Sequence, residues 1–299
     1  MQLRGTLMLL AASFFWGTTF VAQILGMDGL GPYTYAAARF ALGTLFMGAL
    51  WYAYRRKRAA DRRAGTFRSG FRAGLPVGLA MFVGVTLQQV ALLYTTAGKT
   101  AFITTLYIVL VPLAAVLLGH RVRAVQWGGA VLAFAGVYFL SAHGETTLNT
   151  GDILVFFCSF FWMAQILLID RFARTVDAIE LCWMQMIVCT VGSAVLAAVY
   201  ETFVWMDLWN AVVPIVYAGV LSCGVAYTCQ ILGQAYVEPT QAAILMSTEA
   251  IFAAVAGWIV LGETMNAVQI LGCVLLLGGA LMAQLRGCTG KNVQHCRED

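Results

Sequence analysis

Charged side chains are scarce in this sequence, at 11% of the 299 residues, whereas a typical soluble domain has about a quarter. Hydrophobic residues make up 61%. This balance excludes an ordinary soluble fold and a separate soluble domain, because nearly the whole chain falls into apolar stretches of spanning length. The net charge of +4 does not predict nucleic-acid binding, since the basic excess is concentrated in one loop at residues 55–72.

Groups that bind metals, nucleotides or disulfide partners are also few. The three histidines, His120, His143 and His295, fall in two loops and the C-terminal tail, and the eight cysteines form no CxxC pair. Most of these cysteines lie in apolar segments, where a thiol behaves as a small hydrophobe. Gly98-Lys99-Thr100 resembles the end of a phosphate-binding loop, but Leu93 stands where that motif needs glycine. The sequence therefore predicts no metal, no cofactor and no ATP binding.

Ten apolar runs of spanning length follow one another along the chain. A bilayer core about 30 Å thick needs roughly 20 apolar helical residues per crossing. The predicted spans are residues 5–25, 32–54, 73–94, 99–118, 124–141, 152–171, 178–200, 211–232, 238–261 and 265–285. The predicted fold class is an all-α integral membrane protein with ten transmembrane helices. Pro112 lies inside the fourth span, which we expect to be kinked there.

Lysine and arginine accumulate on one side of the predicted topology. With the N-terminus inside, sixteen of the eighteen Lys and Arg residues are cytoplasmic, as the positive-inside rule requires. The exceptions are Arg39, inside the second span, and Lys99, at the outer end of the fourth. We therefore predict a multi-pass protein of the cell (inner) membrane with both termini cytoplasmic and a cytoplasmic tail at residues 287–299.

The two halves of the chain are similar to each other. Residues 91–139 align without a gap on residues 234–282, at a shift of 143 and with at least ten identities. Upstream matches are Gly78 with Gly219 and Gln89 with Gln230, at a shift of 141, and Ser13-Phe14-Phe15-Trp16 with Ser159-Phe160-Phe161-Trp162, at a shift of 146. We predict two five-helix repeats, residues 1–145 and 146–286. Five is an odd number, so the second copy is inverted, which suits alternating access around a site near the midplane.

Five segments carry a family resemblance, and they are SFFWGTTF in the first span, AARFALG at 37–43, ALLYTTAGKTAFITTLYIVLVP at 91–112, GDILVFFCSFFW at 151–162 and ILMSTEAIFAAVAGWIVLGE at 244–263. In this order, with the duplication, the chain resembles the drug/metabolite transporter superfamily, specifically its EamA-type ten-helix members. The resemblance implies small-molecule transport without ATP and does not fix a substrate. Two departures are His120, where the second repeat has Glu263, and Ala250, where the family usually has proline.

Ionisable side chains inside the predicted spans are candidate functional groups, because charges are costly in a bilayer. Arg39 lies about 12 Å into the second span at 1.5 Å per residue. It is expected to contact a substrate carboxylate or a gate, or else to satisfy helix-end carbonyls or an acid such as Asp28. Glu249, midway along the ninth span, can bind a proton or pair with a cation. Lys99 and Glu263, near span ends, are expected in a gate or a structural ion pair.

Uncharged polar and aromatic residues within the spans complete the predicted site. Buried glutamines must bond to helices, water or a ligand, so helix-to-helix hydrogen bonding is the alternative to substrate contact. Tryptophan and tyrosine offer ring faces to apolar or cationic groups. With Glu249, the predicted substrate-binding residues are Trp16, Gln88, Gln89, Tyr107, Trp162, Gln165 and Gln230.

The favoured function is a secondary transporter or facilitator of a small organic metabolite, an amino acid or related compound, with export included. Its cavity is expected among spans 1, 3, 4, 6, 8 and 9. Proton coupling, facilitation and exchange all fit the sequence, as do a monomer and a homodimer.

A cationic-drug efflux antiporter is an alternative, but residues 5–25 lack the acid it needs. A second alternative is a non-transporting integral-membrane enzyme or scaffold, yet no nucleophile–base pair or metal-ligand cluster in the sequence suggests catalysis. The expected partners are a small solute and the bilayer, not nucleic acid.

Overall fold

The computed structural model describes residues 2–58, 67–95, 97–141, 149–202, 204–262 and 265–285. Throughout these ranges the fold consists of helices joined by short turns, with no β-strand. The helices are α1 (Gln2–Gly26), α2 (Pro32–Arg58), α3 (Phe67–Ala91), α4 (Ala97–Thr104), α5 (Tyr107–Leu117), α6 (Ala124–Ser141), α7 (Thr150–Phe172), α8 (Ala178–Tyr200), α9 (Trp205–Asn210), α10 (Val212–Tyr217), a π-helix (Ala218–Ala226), α11 (Tyr227–Gln234), α12 (Pro239–Met246), α13 (Glu249–Leu261) and α14 (Ala267–Gln284).

Eight helical stretches in the described part of the chain are long and apolar enough to cross a membrane. The protein is therefore a multi-pass, all-helical membrane protein. The predicted second span falls in α2, which is not among the eight, because Arg39 and several tyrosines lower its hydropathy. The predicted fifth span, 124–141, falls in α6, whose apolar part, Ala124–Leu140, is shorter than the eight spanning stretches.

The predicted fourth and ninth spans are each broken near their middle, and the two breaks are equivalent in the repeat. The first lies between α4 and α5 at Thr105, and the second lies between α12 and α13 at Thr248. Each threonine hydroxyl donates a 2.7 Å hydrogen bond to the carbonyl three residues earlier. The backbone tightens there into i to i−3 hydrogen bonds. The bend expected at Pro112 is not a break in the helix, since α5 continues through that residue.

Helices α6 and α14 cross at four glycines. A Cβ atom built on Gly129 would lie 2.8 Å from the carbonyl oxygen of Gly279, and one on Gly136 would lie 2.7 Å from that of Gly272. Such close approach of two backbones is open only to very small residues. Gly129 is the repeat equivalent of Gly272, and Gly136 is that of Gly279. The contact is thus reciprocal between repeat-equivalent positions.

Two apolar clusters form most of the core. The first joins α5, α6, α12 and α14, and the second joins α2, α3, α8 and α11. Trp16 of α1 and Trp162 of α7 pack against both clusters. These two repeat-equivalent side chains therefore mark the region between the clusters, where the candidate site lies.

Candidate functional site

An internal cavity lies between the apolar clusters, lined by residues of α1, α2, α3, α4, α5, α7, α11, α12, α13 and the π-helix. Both halves of the chain contribute to it. Its volume is about 60 Å³, well above the roughly 10–15 Å³ that is the minimum for one water molecule. The cavity therefore has room for ordered water or for one small solute.

Seven of the eight residues predicted to bind substrate line this cavity. They are Trp16, Gln88, Tyr107, Trp162, Gln165, Gln230 and Glu249. The eighth, Gln89, does not line it, but its side-chain oxygen accepts a 3.5 Å hydrogen bond from Nη2 of Arg39, which does. The side chain of Lys99 and the whole of Glu263 lie outside the described residues.

The two tryptophans present buried hydrogen-bond donors. The indole Nε1 atom of Trp16 has no acceptor, and that of Trp162 lies beside the Cys158 thiol without a hydrogen bond of standard geometry. The Trp16 ring packs on the Tyr227 ring, with 4.9 Å between centroids. Buried polar groups without a partner are rare and costly, so these two N–H groups are suited to a polar solute or ordered water.

The cavity glutamines are partly satisfied by protein groups. Gln165 and Gln230 are buried and exchange two hydrogen bonds, of 3.2 and 3.0 Å, between their side-chain amides. Gln88 donates a 3.1 Å hydrogen bond to the hydroxyl of Thr104. The Gln165–Gln230 pair thus joins α7 to α11 in the wall of the cavity, as helix-to-helix hydrogen bonding predicts.

Arg39 is buried, with 5% of its surface exposed. Its guanidinium carbon lies 4.8 Å from the ring centre of Phe40 and 5.6 Å from that of Tyr35. Its Nε atom has no hydrogen-bond acceptor. Among the residues that the structure describes, Arg39 makes no ion pair with Asp28 or any other acid. The charge is held by ring faces and one amide.

Glu249 is the first residue of α13, next to the helix break, and its carboxyl group interacts with the buried Tyr107 hydroxyl. The N-terminal end of a helix favours a negative charge. No lysine, arginine or histidine within the described ranges lies within ion-pair distance of it. The backbone of α1 touches it closely, since a Cβ atom on Gly17 would lie 2.5 Å from the Glu249 carbonyl oxygen.

Several cavity residues lie outside the predicted set, among them Thr19, Gln23, Ser222 and Tyr227. Helical spacing was the signal that could have found most of them. Thr19 and Gln23 follow Trp16 at three and seven residues, and Tyr227 precedes Gln230 by three, so each shares a helix face with a predicted residue. No cluster of three or more metal-ligating side chains occurs among the residues described.

Comparisons with known proteins agree with this architecture. The sequence model of the EamA-like transporter family matches residues 3–142 and again residues 149–284. An uncharacterized transporter of Archaeoglobus fulgidus is 31% identical over 95% of this chain and 87% of its own length. The threonine/homoserine exporter RhtA of Escherichia coli K12 is 26% identical over 95% and 90%. A crystal structure of another protein superimposes with a TM-score of 0.76 at 20% identity, over 94% of this chain and 96% of that one.

Proposed function

This chain belongs to the EamA-like transporter family, and from that premise we propose that it carries a small organic metabolite, an amino acid or a related compound, by alternating access around the central cavity. The observation that carries the proposal is the cavity itself. Residues of both halves enclose it, and both discontinuous helices, α4–α5 and α12–α13, end at it. Matching interruptions in two halves are typical of transporter binding sites.

The proposed architecture has ten membrane crossings, in two inverted halves at residues 1–145 and 146–286. Three observations support it. The family model matches each half once. The α6–α14 glycine contact is reciprocal between repeat-equivalent positions. Gly78 of α3 approaches Gln185 of α8, and its repeat equivalent Gly219 approaches Arg39 of α2, the equivalent of Gln185 at a shift of 146.

The size of the cavity favours a small substrate over a drug-sized one. Its volume of about 60 Å³ is far below the roughly 300–1,000 Å³ of pockets that hold drug-sized ligands. A cavity of that size favours a compact metabolite. The relation to threonine/homoserine exporters gives amino acids priority and export as the direction to test first.

We propose that the protein lies in the inner membrane with both termini in the cytoplasm. The distribution of lysine and arginine supports it. One ion pair, Arg123 with Glu238 at 3.3 Å, joins the start of α6 to the start of α12 on the proposed cytoplasmic side. A fluorescent protein fused after residue 285 should therefore mature, and a periplasmic reporter inserted beside Gly29 should be active.

Counterflow in proteoliposomes tests the transport proposal. Vesicles containing the purified protein and loaded with unlabelled L-homoserine should accumulate external labelled L-threonine, and protein-free vesicles should not. The panel extends to other amino acids, a nucleoside and an organic cation, so that transport of a different class is seen. Absence of counterflow for every solute, from protein that remains folded, would contradict the proposal.

A further inference from the structure

The cavity contains one guanidinium group and one carboxyl group that the protein leaves without an ion-pair partner among the described residues. Arg39 and Glu249 both line it. No ion pair joins them to each other or to a third residue in the part of the chain that the structure describes. A charge removed from water is costly unless it is paired. An arginine and a glutamate without ion-pair partners in one cavity therefore suit a ligand that carries both a carboxylate and an ammonium group.

Arg39 has capacity for a carboxylate. Its contacts are two aromatic rings and one distant amide oxygen, and its Nε–H is buried without an acceptor. The guanidinium group matches a carboxylate with two parallel hydrogen bonds. The indole N–H groups of Trp16 and Trp162 are further buried donors of residues that line the same space, and an ionised carboxylate has about four acceptor positions.

Glu249 has capacity for an ammonium group. Its interaction within the cavity is with the Tyr107 hydroxyl, which adds no positive charge. It forms no ion pair with Arg39, although both side chains line the same cavity as the Tyr227 ring. The two groups thus face one small space without pairing with each other.

We propose that the cavity takes a zwitterionic amino acid, with its carboxylate at Arg39 and its ammonium group at Glu249. This assignment rests on the transport function proposed above and narrows its substrate class. A solute with one charged group would engage only Arg39 or only Glu249, whereas a zwitterion engages both and brings no net charge into the membrane interior. The site therefore selects against amines without a carboxylate and against acids without an amine.

Ligand analogues test the assignment on the unaltered protein. L-threonine is compared with 1-amino-2-propanol, which lacks the carboxylate, and with 3-hydroxybutyrate, which lacks the amine. Each compound is tested as an inhibitor of the counterflow of labelled L-threonine. We expect both analogues to need at least ten times the concentration of L-threonine for half inhibition. An analogue that competes as well as L-threonine overturns the role of the residue that would bind its missing group.

Substitutions in the protein, each tested with L-threonine and with its analogues, show which residue binds which group of the ligand. In Glu249→Gln, L-threonine should bind about tenfold or more weakly, while 3-hydroxybutyrate changes little, so that the preference for the amine is lost. In Arg39→Gln, the preference for the carboxylate should be lost instead. Asp207→Asn and Arg174→Gln remove charges outside the cavity and should retain both preferences. Preferences unchanged in Glu249→Gln and Arg39→Gln overturn the assignment.

The results also separate this inference from the transport proposal. Counterflow of a solute that is not a zwitterion, with none for L-threonine, L-homoserine or other amino acids, leaves the transport function standing and overturns the zwitterion site. Absence of counterflow for all solutes overturns both. Counterflow of amino acids with the expected loss of both preferences supports both.

Discussion

Adjacent glycines of α14 provide a matched pair of substitutions that differ in packing alone. A Cβ atom added at Gly279 would lie 2.5 Å from the backbone nitrogen of Ala133, whereas one added at Gly278 would lie 3.5 Å from the flexible Leu132 side chain. To bring the first contact to 3.4 Å, α6 and α14 must separate by about 0.9 Å. Backbone atoms cannot rotate aside, so the whole helix pair must move.

The expected magnitudes follow from two opposing effects. Alanine is favoured over glycine in a helix by about 1 kcal/mol, and this gain applies to both positions. Overpacking costs about 1–3 kcal/mol, and it applies to Gly279→Ala. We therefore expect Gly278→Ala to have an unfolding free energy up to about 1 kcal/mol above that of the original chain, and Gly279→Ala to have one about 0–2 kcal/mol below it, so that the two variants differ by about 1–3 kcal/mol.

Unfolding of the detergent-purified proteins by increasing amounts of SDS, followed by tryptophan fluorescence, measures this difference. Gly136→Ala is a second test, since Gly136 is the repeat equivalent of Gly279 and its Cβ atom would lie 2.3 Å from the backbone nitrogen of Leu276. Equal stabilities for Gly278→Ala and Gly279→Ala would refute the close α6–α14 crossing.

Three further results are expected in the same assay. Gln165→Leu or Gln230→Leu alone should lower the unfolding free energy by about 1–3 kcal/mol, because each leaves the amide of the other glutamine buried and unpaired. The double variant should recover part of that loss, and additive losses would argue against the pair. Glu201→Ala should lower the unfolding free energy by about 1–2 kcal/mol, because the Glu201 carboxylate accepts hydrogen bonds of 2.9, 2.7 and 2.6 Å at the start of α2. An unchanged unfolding midpoint would contradict that capping role. Glu238→Gln should change the unfolding free energy by less than about 1 kcal/mol, because the ion pair between Glu238 and Arg123 is partly exposed. A larger loss would contradict the small contribution expected of an exposed ion pair.

The helical architecture was readable from the sequence because hydrophobic length and helix boundaries are local properties. The predicted seventh span, 178–200, coincides with α8, and its start is fixed by the side chain of Asp177, which caps the helix. The repeat shift also paired Trp16 with Trp162, which the structure places between the same two apolar clusters.

The breaks in α4–α5 and α12–α13 were not predicted from the sequence. Pro112 was the visible signal, but the helix passes through it and breaks at Thr105 instead. A threonine hydroxyl can bond either to its own helix or to a neighbour, so its effect depends on packing. The equivalence of Thr105 and Thr248 was visible, but their shared conformation was not.

The partners of Arg39 also depended on the assembled fold. From the sequence, Arg39 was expected to contact a substrate carboxylate or a gate, or else helix-end carbonyls or an acid such as Asp28. The structure places the guanidinium group near Gln89 of α3, 50 positions along the chain, and over the rings of Tyr35 and Phe40. The contact between Arg39 and Gln89 is between different helices, so only the arrangement of the bundle determines it.

The central claim is that solute passes through the cavity between the two halves, and a cavity-filling substitution tests it most directly. Thr19 lines the cavity, whereas Ile24, on the same helix, is 41% exposed on the outer surface. Counterflow of labelled L-threonine should be nearly abolished in Thr19→Trp and retained in Ile24→Trp, with both proteins folded. Counterflow in Thr19→Trp at the rate of the original chain would contradict the account.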